Sequence, residues 1–227
     1  MLVKPFKIKL AEKYLTKDDI TILDVGAGSH SPTITKQWLP KCHYTAIDIA
    51  ESYNNDESDF KAMDEFIEMD LTKLEFDTIP ENKFDMIVMS HVIEHLHNGD
   101  KVIAGLIPKL KKGGIIYLEF PSPRSVHFPS KPETLNFYDD PTHCRIFSVN
   151  EVSGILTQNQ MHILSSGIRR QMINILLMPL KIIYQFITKG YVRGGVYWDY
   201  YGFAEYVCAM KSAEGLIPLV RASQLAG

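Results

Sequence analysis

Two acid-bearing segments near the start of the chain carry residue types that hold a nucleoside. Residues 22–29 run from apolar side chains into Asp24 and then into Gly26 and Gly28. Glycines allow the backbone of a tight turn to approach a ligand closely. The next apolar segment ends in Asp48, about 20 residues further on, where such sites place the acid that binds ribose hydroxyls. Together, the turn and the acid predict a nucleoside-binding site.

A histidine-rich segment matches the H-x-x-E-H spacing of zinc peptidases, with His91, Glu94 and His95 at the three fixed positions. On a helix this spacing places the two histidines on one face. The segment follows a predicted strand, however, and we find no second ligand-bearing helix, so we predict no metal site. We expect His91 to border the nucleoside. His95 is expected either near the pocket of a second substrate or packed within the fold.

His143 lies in a constrained turn, Asp140-Pro141-Thr142-His143, within a long loop. An imidazole with a pKa near 6.5 is suited to take a proton from a hydroxyl group at neutral pH. His143 is therefore our candidate general base. The alternative is that its ring only forms hydrogen bonds that fix the loop.

Two neighbours of this turn are candidates for binding the second substrate. Arg145 either holds an anionic group of that substrate or forms an ion pair with Asp139 or Asp140. Tyr138 either lines the pocket or packs in the core.

Hydrophobic patterning places these residues among strands that alternate with helices. The predicted strands begin at Thr21 and then cover residues 42–47, 66–69, 85–90, 115–119, 161–165 and 202–210. Polar residues end five of them, namely Asp24, Asp48, Asp70, Ser90 and Glu119. Alternation of this kind predicts a doubly wound α/β sheet that binds its ligand at the carboxyl ends of the strands.

The segments between the strands are predicted as follows. Helices are expected through Phe6, Leu10 and Tyr14, from Ser31-Pro32, over residues 99–110, and after a capping box at Ser148. The acid-rich residues after Asp48 are expected to form an exposed loop, with a helix only near residues 61–65. Residues 120–147 form a loop whose length favours a function.

Composition limits the class of protein. The 227 residues are 45% apolar and carry a formal charge of −3, which suits a single domain over residues 1–227 without a nucleic-acid partner. Three scattered cysteines and an N-terminus without an apolar signal sequence predict a reduced, cytoplasmic location. The sequence contains no run of 18 apolar residues, so we predict no membrane span.

An insertion at residues 167–201 separates the last two predicted strands. Its part from residue 169 to 198 is apolar and basic, and Pro179 is expected to break or kink any helix there. It is either a lid over the second substrate, a homodimer interface, or an element that lies on an anionic membrane surface. The tail at residues 212–227 has no clear pattern.

Over residues 10–165 the chain resembles the class I S-adenosylmethionine-dependent methyltransferases. The resemblance rests on residues 22–28, 46–48, 68–71, 84–96 and 110–114, which are similar to successive motifs of that family in the correct order. It implies a Rossmann-like sheet of seven strands in the order 3-2-1-4-5-7-6, with strand 7 antiparallel and helices on both faces. One departure is His30, which stands where the family often has a third glycine.

The resemblance also implies the cofactor S-adenosylmethionine and its contacts. The implied cofactor-binding residues are Asp24, Gly26, Ala27, Gly28, Asp48, Ile49, Asp70, Leu71, Ser90 and His91. Asp24 would lie near the charged end of the methionine portion and Asp48 on the ribose diol. Asp70 and Leu71 would flank the adenine.

We therefore predict methyl transfer to a small-molecule or glycan-like acceptor at a hydroxyl, with His143 and His95 as catalytic residues and Tyr138 and Arg145 as substrate contacts. The loop and the insertion are weakly similar to methyltransferases of bacterial polysaccharide and lipid pathways. Alternatives are C- or N-methylation of a quinone precursor or amine, and a cofactor-binding regulator without catalysis. A nicotinamide oxidoreductase is disfavoured, because no Tyr-x-x-x-Lys pair follows the fourth strand.

Overall fold

The computed structural model describes residues 3–50 and 54–212, and these residues form a sheet of seven strands. The strands are β1 (Thr21–Val25), β2 (His43–Asp48), β3 (Glu65–Glu68), β4 (Phe84–Ser90), β5 (Leu110–Pro121), β6 (Met161–Ile168) and β7 (Ala204–Lys211). Their order is β3-β2-β1-β4-β5-β7-β6, and β7 runs antiparallel to both of its neighbours. This confirms the predicted Rossmann-like fold.

The described residues also form seven α-helices, of which α1 precedes the sheet and the other six connect its strands. They are α1 (Phe6–Tyr14), α2 (Ser31–Trp38), α3 (Glu57–Ala62), α4 (Gly99–Leu106), α5 (Val149–Gln158), α6 (Met172–Lys189) and α7 (Trp198–Tyr201). Alternate residues of each strand enter two different apolar clusters. Leu23 and Ile87 belong to one, while Ile22 and Met86 belong to the other. Because successive side chains point to opposite faces of a strand, the sheet has a packed layer on each face.

Two segments differ from the prediction. Residues 57–62 form α3 rather than a loop, because Asp56 caps the helix by accepting from the backbone of Ser58 and Asp59. Helix α4 ends at Leu106 rather than at residue 110, and a 3-10 turn over Ile107–Lys109 follows. Pro108 has no N–H to continue the α-helical hydrogen bonds, which accounts for this early end.

The insertion folds as a long helix followed by a short one. Helix α6 runs unbroken through Pro179, which corrects the predicted break. A proline removes one backbone hydrogen bond, and the helix tolerates that loss here on an exposed face. Of the unplaced tail, only Ser212 lies within the described residues.

Candidate active site

A cavity of about 950 Å³ opens at the carboxyl ends of β1, β2, β4 and β5. Its wall includes most of the predicted site residues, namely Asp24, Gly26, Gly28, Asp48, Ile49, Ser90, His91 and His95. It also includes residues of the insertion, Arg169, Gln171 and Trp198. The topology thus brings the strand ends and the insertion to one site, as expected for an open α/β sheet.

The turn after β1 is built around Gly26. Its backbone has a φ of +74°, and a Cβ atom there would lie 2.3 Å from Cγ2 of Val92. Any side chain would therefore push the segment after β4 away from the cavity. Ala27, predicted as a cofactor contact, instead buries its side chain in the core and donates its N–H to the carbonyl of Ile47. His30 has a left-handed backbone and points outward to Asp59.

Asp24 is buried at the floor of the cavity and is tightly bound. Its Oδ2 accepts hydrogen bonds from Lys7 Nζ at 3.1 Å, Ser31 Oγ at 2.5 Å and the Tyr44 hydroxyl at 2.7 Å. Burial and the neighbouring carboxylate raise the pKa of Tyr44 well above its ordinary value, so the phenol stays a donor. These bonds hold the Asp24 side chain in one position on the cavity wall.

Asp48 ends β2 on the cavity wall and is freer than Asp24. Its Oδ1 accepts from the Ile49 N–H at 2.7 Å, and partial burial raises its pKa. Asp70 lies in an adjoining depression that shares Ile49 with the main cavity. Asp70 caps a 3-10 turn by accepting from the backbone and hydroxyl of Thr72, while Leu71 is part of the buried core.

His91 does not share a helical face with His95, which the H-x-x-E-H spacing would require for a zinc site. Its φ of +56° turns the chain sharply after β4, and a 3-10 turn over Ile93–His95 replaces the expected helix. The ring of His91 lies 3.1 Å from Glu94 Oε1 and 3.1 Å from Glu119 Oε1. Burial alone would lower its pKa, but the hydrogen bonds with Glu119 and Glu94 outweigh it and raise the pKa to about 9.

A buried ion network continues from Glu119, and sequence reasoning did not identify it. Arg169 lies 3.1 Å from Glu119 Oε1 and donates to Asp199 Oδ1 at 2.9 Å. Burial raises the pKa of Glu119, yet Arg169 and His91 together lower it to about 2. The membrane-surface alternative would place Arg169 among lipid headgroups, but Arg169 is a buried member of the site. The polar end of β5 was the only signal for this network in the sequence.

His95 and His143 lie side by side next to the cavity. Their ring centroids are 4.8 Å apart. His95 and Thr142 line the cavity. The side chain of His143 is only 5% exposed and is not among the lining residues, since it lies behind His95 and against Phe137.

Arg145 and Tyr138 do not contribute to the cavity wall. Arg145 donates to Asp100 at 2.8 Å and to Glu151 at 2.7 Å, so it is a structural ion pair with partners other than those predicted. Tyr138 is 69% exposed, neither in the core nor on the cavity. Their proximity to His143 in the sequence led to the prediction that both contact the substrate, but neither side chain reaches the cavity wall.

Comparison with known proteins agrees with this geometry. A family model described as a methyltransferase domain matches residues 3–166, so the chain belongs to that family. No curated protein matches the sequence. Solved structures share the fold at low identity, including S-adenosylmethionine-dependent methyltransferases from Archaeoglobus fulgidus and Aquifex aeolicus. The first has a TM-score of 0.56 at 16% identity, over 92% of this chain and 95% of that one. The second has 0.55 at 17% identity, over 89% and 88%.

A third similar structure is a complex between the Haloferax volcanii Trm112 methyltransferase activator and a methyltransferase. The matched chain of that complex has a TM-score of 0.61 at 13% identity, over 91% of this chain and 94% of the matched chain. The chain thus belongs to the methyltransferase-domain family and shares its fold with S-adenosylmethionine-dependent methyltransferases. The residues present fit this cofactor. The side-chain-free turn at Gly26, the fixed carboxylate of Asp24 and the strand-tip carboxylate of Asp48 all face one cavity of sufficient size.

Proposed function

We propose that the protein methylates a hydroxyl group of a small-molecule or glycan-like acceptor. One observation carries the proposal: a single cavity is lined both by the acids predicted to bind the cofactor, Asp24 and Asp48, and by His95 with Thr142, whose part of the wall we take as the acceptor end. When bound, S-adenosylmethionine supplies a methyl group on a sulfonium, which leaves as a thioether as the acceptor oxygen bonds to the methyl carbon. The protein must align that oxygen and help its proton to leave.

The polar character of the wall supports a hydroxylated acceptor. Glu119 and Arg169 offer a charged acceptor and donor beside the ring of Trp198. An aromatic face next to fixed hydrogen-bonding groups suits a sugar or another polyol, which has both apolar and hydroxyl faces.

His95 and His143 are the groups placed to assist loss of the acceptor proton. His95 is the one that lines the cavity, and His143 supports it from behind. The assignment of His143 as the general base stays a prediction. Replacing His95 with glutamine should lower turnover by about 10²–10⁴-fold, the usual contribution of such a group, with cofactor affinity nearly intact.

The experiment is methyl transfer from methyl-labelled S-adenosylmethionine to panels of sugars, phenols and amines. We expect the unmodified protein to transfer the label to hydroxylated acceptors and the His95→Gln variant to lose this transfer. The control is His127→Gln, which removes an exposed histidine outside the cavity wall and should keep the transfer. S-adenosylhomocysteine at 100 times its Kd should add about 2.7 kcal/mol to the free energy of unfolding, and NAD should add none. Label confined to nitrogen or carbon would contradict the proposal.

We also propose that α6 lies on an anionic membrane surface and brings the cavity beside it. Five large apolar residues along the helix are 57–76% exposed, namely Met172, Leu176, Leu180, Ile183 and Ile187. Residues 161–198 contain five bases and no acid. In the described part of the chain, the cavity wall takes Gln171 but no side chain of α6 itself, which argues against a lid.

By length and composition α6 could also cross a bilayer. The chain that follows it argues for lying along the surface instead. The Arg193 N–H donates to Gln185 Oε1 at 3.0 Å, and the Gly194 N–H donates to the Pro132 carbonyl at 2.7 Å. The segment thus returns to the protein within a few residues of the helix end. A helix with one apolar face and flanking bases is typical of an interfacial element.

A further inference from the structure

Three potential metal ligands converge at the acceptor end of the cavity. Glu94, His95 and His143 each offer one ligand atom, and these atoms all lie within 4.8 Å of one another. The fold holds them together firmly, because the Glu94 carbonyl accepts from the backbone N–H groups of Cys144 at 2.8 Å and Arg145 at 3.1 Å. The loop that carries His143 is thereby fastened to the turn that carries Glu94 and His95.

Glu94 presents a buried oxygen that lacks a partner. Its side chain is 1% exposed, and Oε1 is bound by His91 Nδ1 at 3.1 Å. Oε2 is buried and has no hydrogen-bond partner among the residues that the structure describes. A buried carboxylate oxygen without a partner is destabilising, so such an atom normally has a donor or a cation beside it.

The two imidazole rings are oriented as metal ligands are. His143 Nδ1 lies 2.7 Å from the Phe137 carbonyl, which can only accept, so Nδ1 carries the proton. Thr142 Oγ1 donates to Asp140 Oδ1 at 2.5 Å and therefore accepts from His95 Nδ1 at 2.8 Å. Both rings keep the lone pair on Nε2. Metal-binding histidines usually donate their other N–H to a carbonyl or a similar acceptor.

The local charge also favours a cation. The carboxylate of Glu94 is buried, and the carboxylate of Glu119 lies 3.1 Å from the other nitrogen of the His91 ring. Asp140, with Oδ2 at 3.9 Å from His143 Nε2, adds to the negative potential.

We propose that Glu94, His95 and His143 bind one divalent cation of the first transition series. Two imidazole nitrogens and one carboxylate oxygen suit Zn²⁺, Fe²⁺ or Co²⁺ better than Mg²⁺ or Ca²⁺, and they leave coordination positions open. The ligand atoms must close from within 4.8 Å to about 3.4 Å apart for tetrahedral bonds of about 2.1 Å, which side-chain rotation can supply.

The role of the cation rests on the proposed function. The acceptor hydroxyl oxygen would take an open position, and the cation would lower the pKa of that hydroxyl, so that its proton passes to solvent before methyl transfer. His95 and His143 then serve as ligands rather than as free bases. This places the metal site at the acceptor end of the cavity, which His95 lines.

A second cluster, His30, Asp56 and Asp59, also has the composition of a metal site. Its carboxylates are already engaged: Asp59 binds the His30 ring and the Thr33 hydroxyl, and Asp56 caps α3. No oxygen of this cluster is among the buried, unpartnered atoms of the described residues. It provides the matched comparison for the test.

The test is titration of the metal-stripped full-length protein with Co²⁺, followed by visible absorption and calorimetry, with and without S-adenosylhomocysteine. We expect one Co²⁺ per chain and an absorption spectrum typical of nitrogen and oxygen ligands. Glu94→Gln and His143→Gln should each weaken Co²⁺ binding at least tenfold. Thr142→Val, which removes the partner of His95 Nδ1, should weaken it by about 10–100-fold.

His30→Gln should bind Co²⁺ like the unmodified protein. S-adenosylhomocysteine affinity reports folding, so variants that keep it are folded. Absence of Co²⁺ binding would overturn the proposal, as would equal binding by folded His143→Gln protein or loss of binding in His30→Gln alone. Methyl transfer without any metal requirement would leave the proposed function standing, whereas Co²⁺ binding without S-adenosylhomocysteine binding would contradict the proposed function and keep the metal site.

Discussion

The carboxylates at the carboxyl edge of the sheet differ in their capacity to accept a further hydrogen bond, because each has different partners. Asp24 is fixed by three donors, and Arg169 and His91 hold the pKa of Glu119 low, so the partners of both carboxylates are already present in the protein. Asp48 has one backbone donor and a raised pKa, so it has room for a further hydrogen-bond donor. Carboxylates accept hydrogen bonds from diols, and Asp48 is the one with the capacity to do so.

Replacing Asp48 with alanine should therefore weaken cofactor binding. A hydrogen bond to a charged group contributes about 1.5–3 kcal/mol, which corresponds to a 10- to 150-fold loss of affinity for S-adenosylhomocysteine in calorimetry. Asp77→Ala, which removes an exposed acid outside the cavity wall, serves as the control. Unchanged affinity in folded Asp48→Ala protein would mean that another group binds the ribose.

At the residue scale, the sequence was informative where chemistry follows local order. The strand-tip acids and the glycine turn could be predicted because each lies within a short motif. The contacts of Glu119 with Arg169, and of Glu94 with the loop after His143, join segments far apart in the chain. No local pattern specifies such pairings, and for the same reason Arg145 was assigned to the wrong partners.

Among the elements, the turn after β4 has the largest consequence for the site. A helix over residues 91–95 would have placed both histidines on one face. The left-handed residue His91 and the short 3-10 turn instead direct its ring to β5 and that of His95 to the loop at Thr142. The H-x-x-E-H motif is therefore divided between an ion network and the acceptor end of the cavity.

Helix α6 gives the element-scale prediction. The protein should pellet with anionic vesicles and much less with neutral ones, because Arg170 and Lys189 at the helix ends each contribute about 1 kcal/mol near an anionic surface. That contribution should fall at high salt. Leu176→Asp combined with Ile183→Asp removes two exposed apolar side chains that the bilayer would bury, and it should reduce vesicle binding by at least about tenfold.

Tyr138→Asp is the matched control, since it adds an acid at an exposed aromatic away from α6 and should leave vesicle binding nearly unchanged. Light scattering of the protein in solution tests the alternative occupant of this face, a second copy of the chain. Negligible pelleting with both lipids, or a stable dimer that the double variant dissociates, would contradict the membrane proposal.

In the molecule as a whole, the residues of the candidate site and a cluster that stabilises the fold lie at opposite edges of the sheet. The strand order was predicted from the family resemblance, whereas the alternation of strands and helices predicted only a doubly wound parallel sheet. All cavity acids lie at the carboxyl edge. At the opposite edge, Asp85 at the start of β4 joins three other segments through Lys17, the Thr21 N–H and hydroxyl, and Lys111.

This second cluster predicts how the protein responds to acid. Burial would raise the pKa of Asp85, but its hydrogen bonds with Lys111, Thr21 and Lys17 lower the pKa to about 2. A lowered pKa stabilises the fold at pH values above the ordinary value near 3.8, and that stability is lost as the pH falls through about 2. The difference corresponds to about 2 kcal/mol. Asp85→Asn should therefore lower the free energy of unfolding by about that amount at pH 7.

Urea denaturation between pH 7 and pH 2 should show the variant and the unmodified protein converging at the acid end, with Asp77→Asn following the unmodified protein throughout. Parallel curves for Asp85→Asn and the unmodified protein across this pH range would show that the stabilisation does not come from the ionised carboxylate.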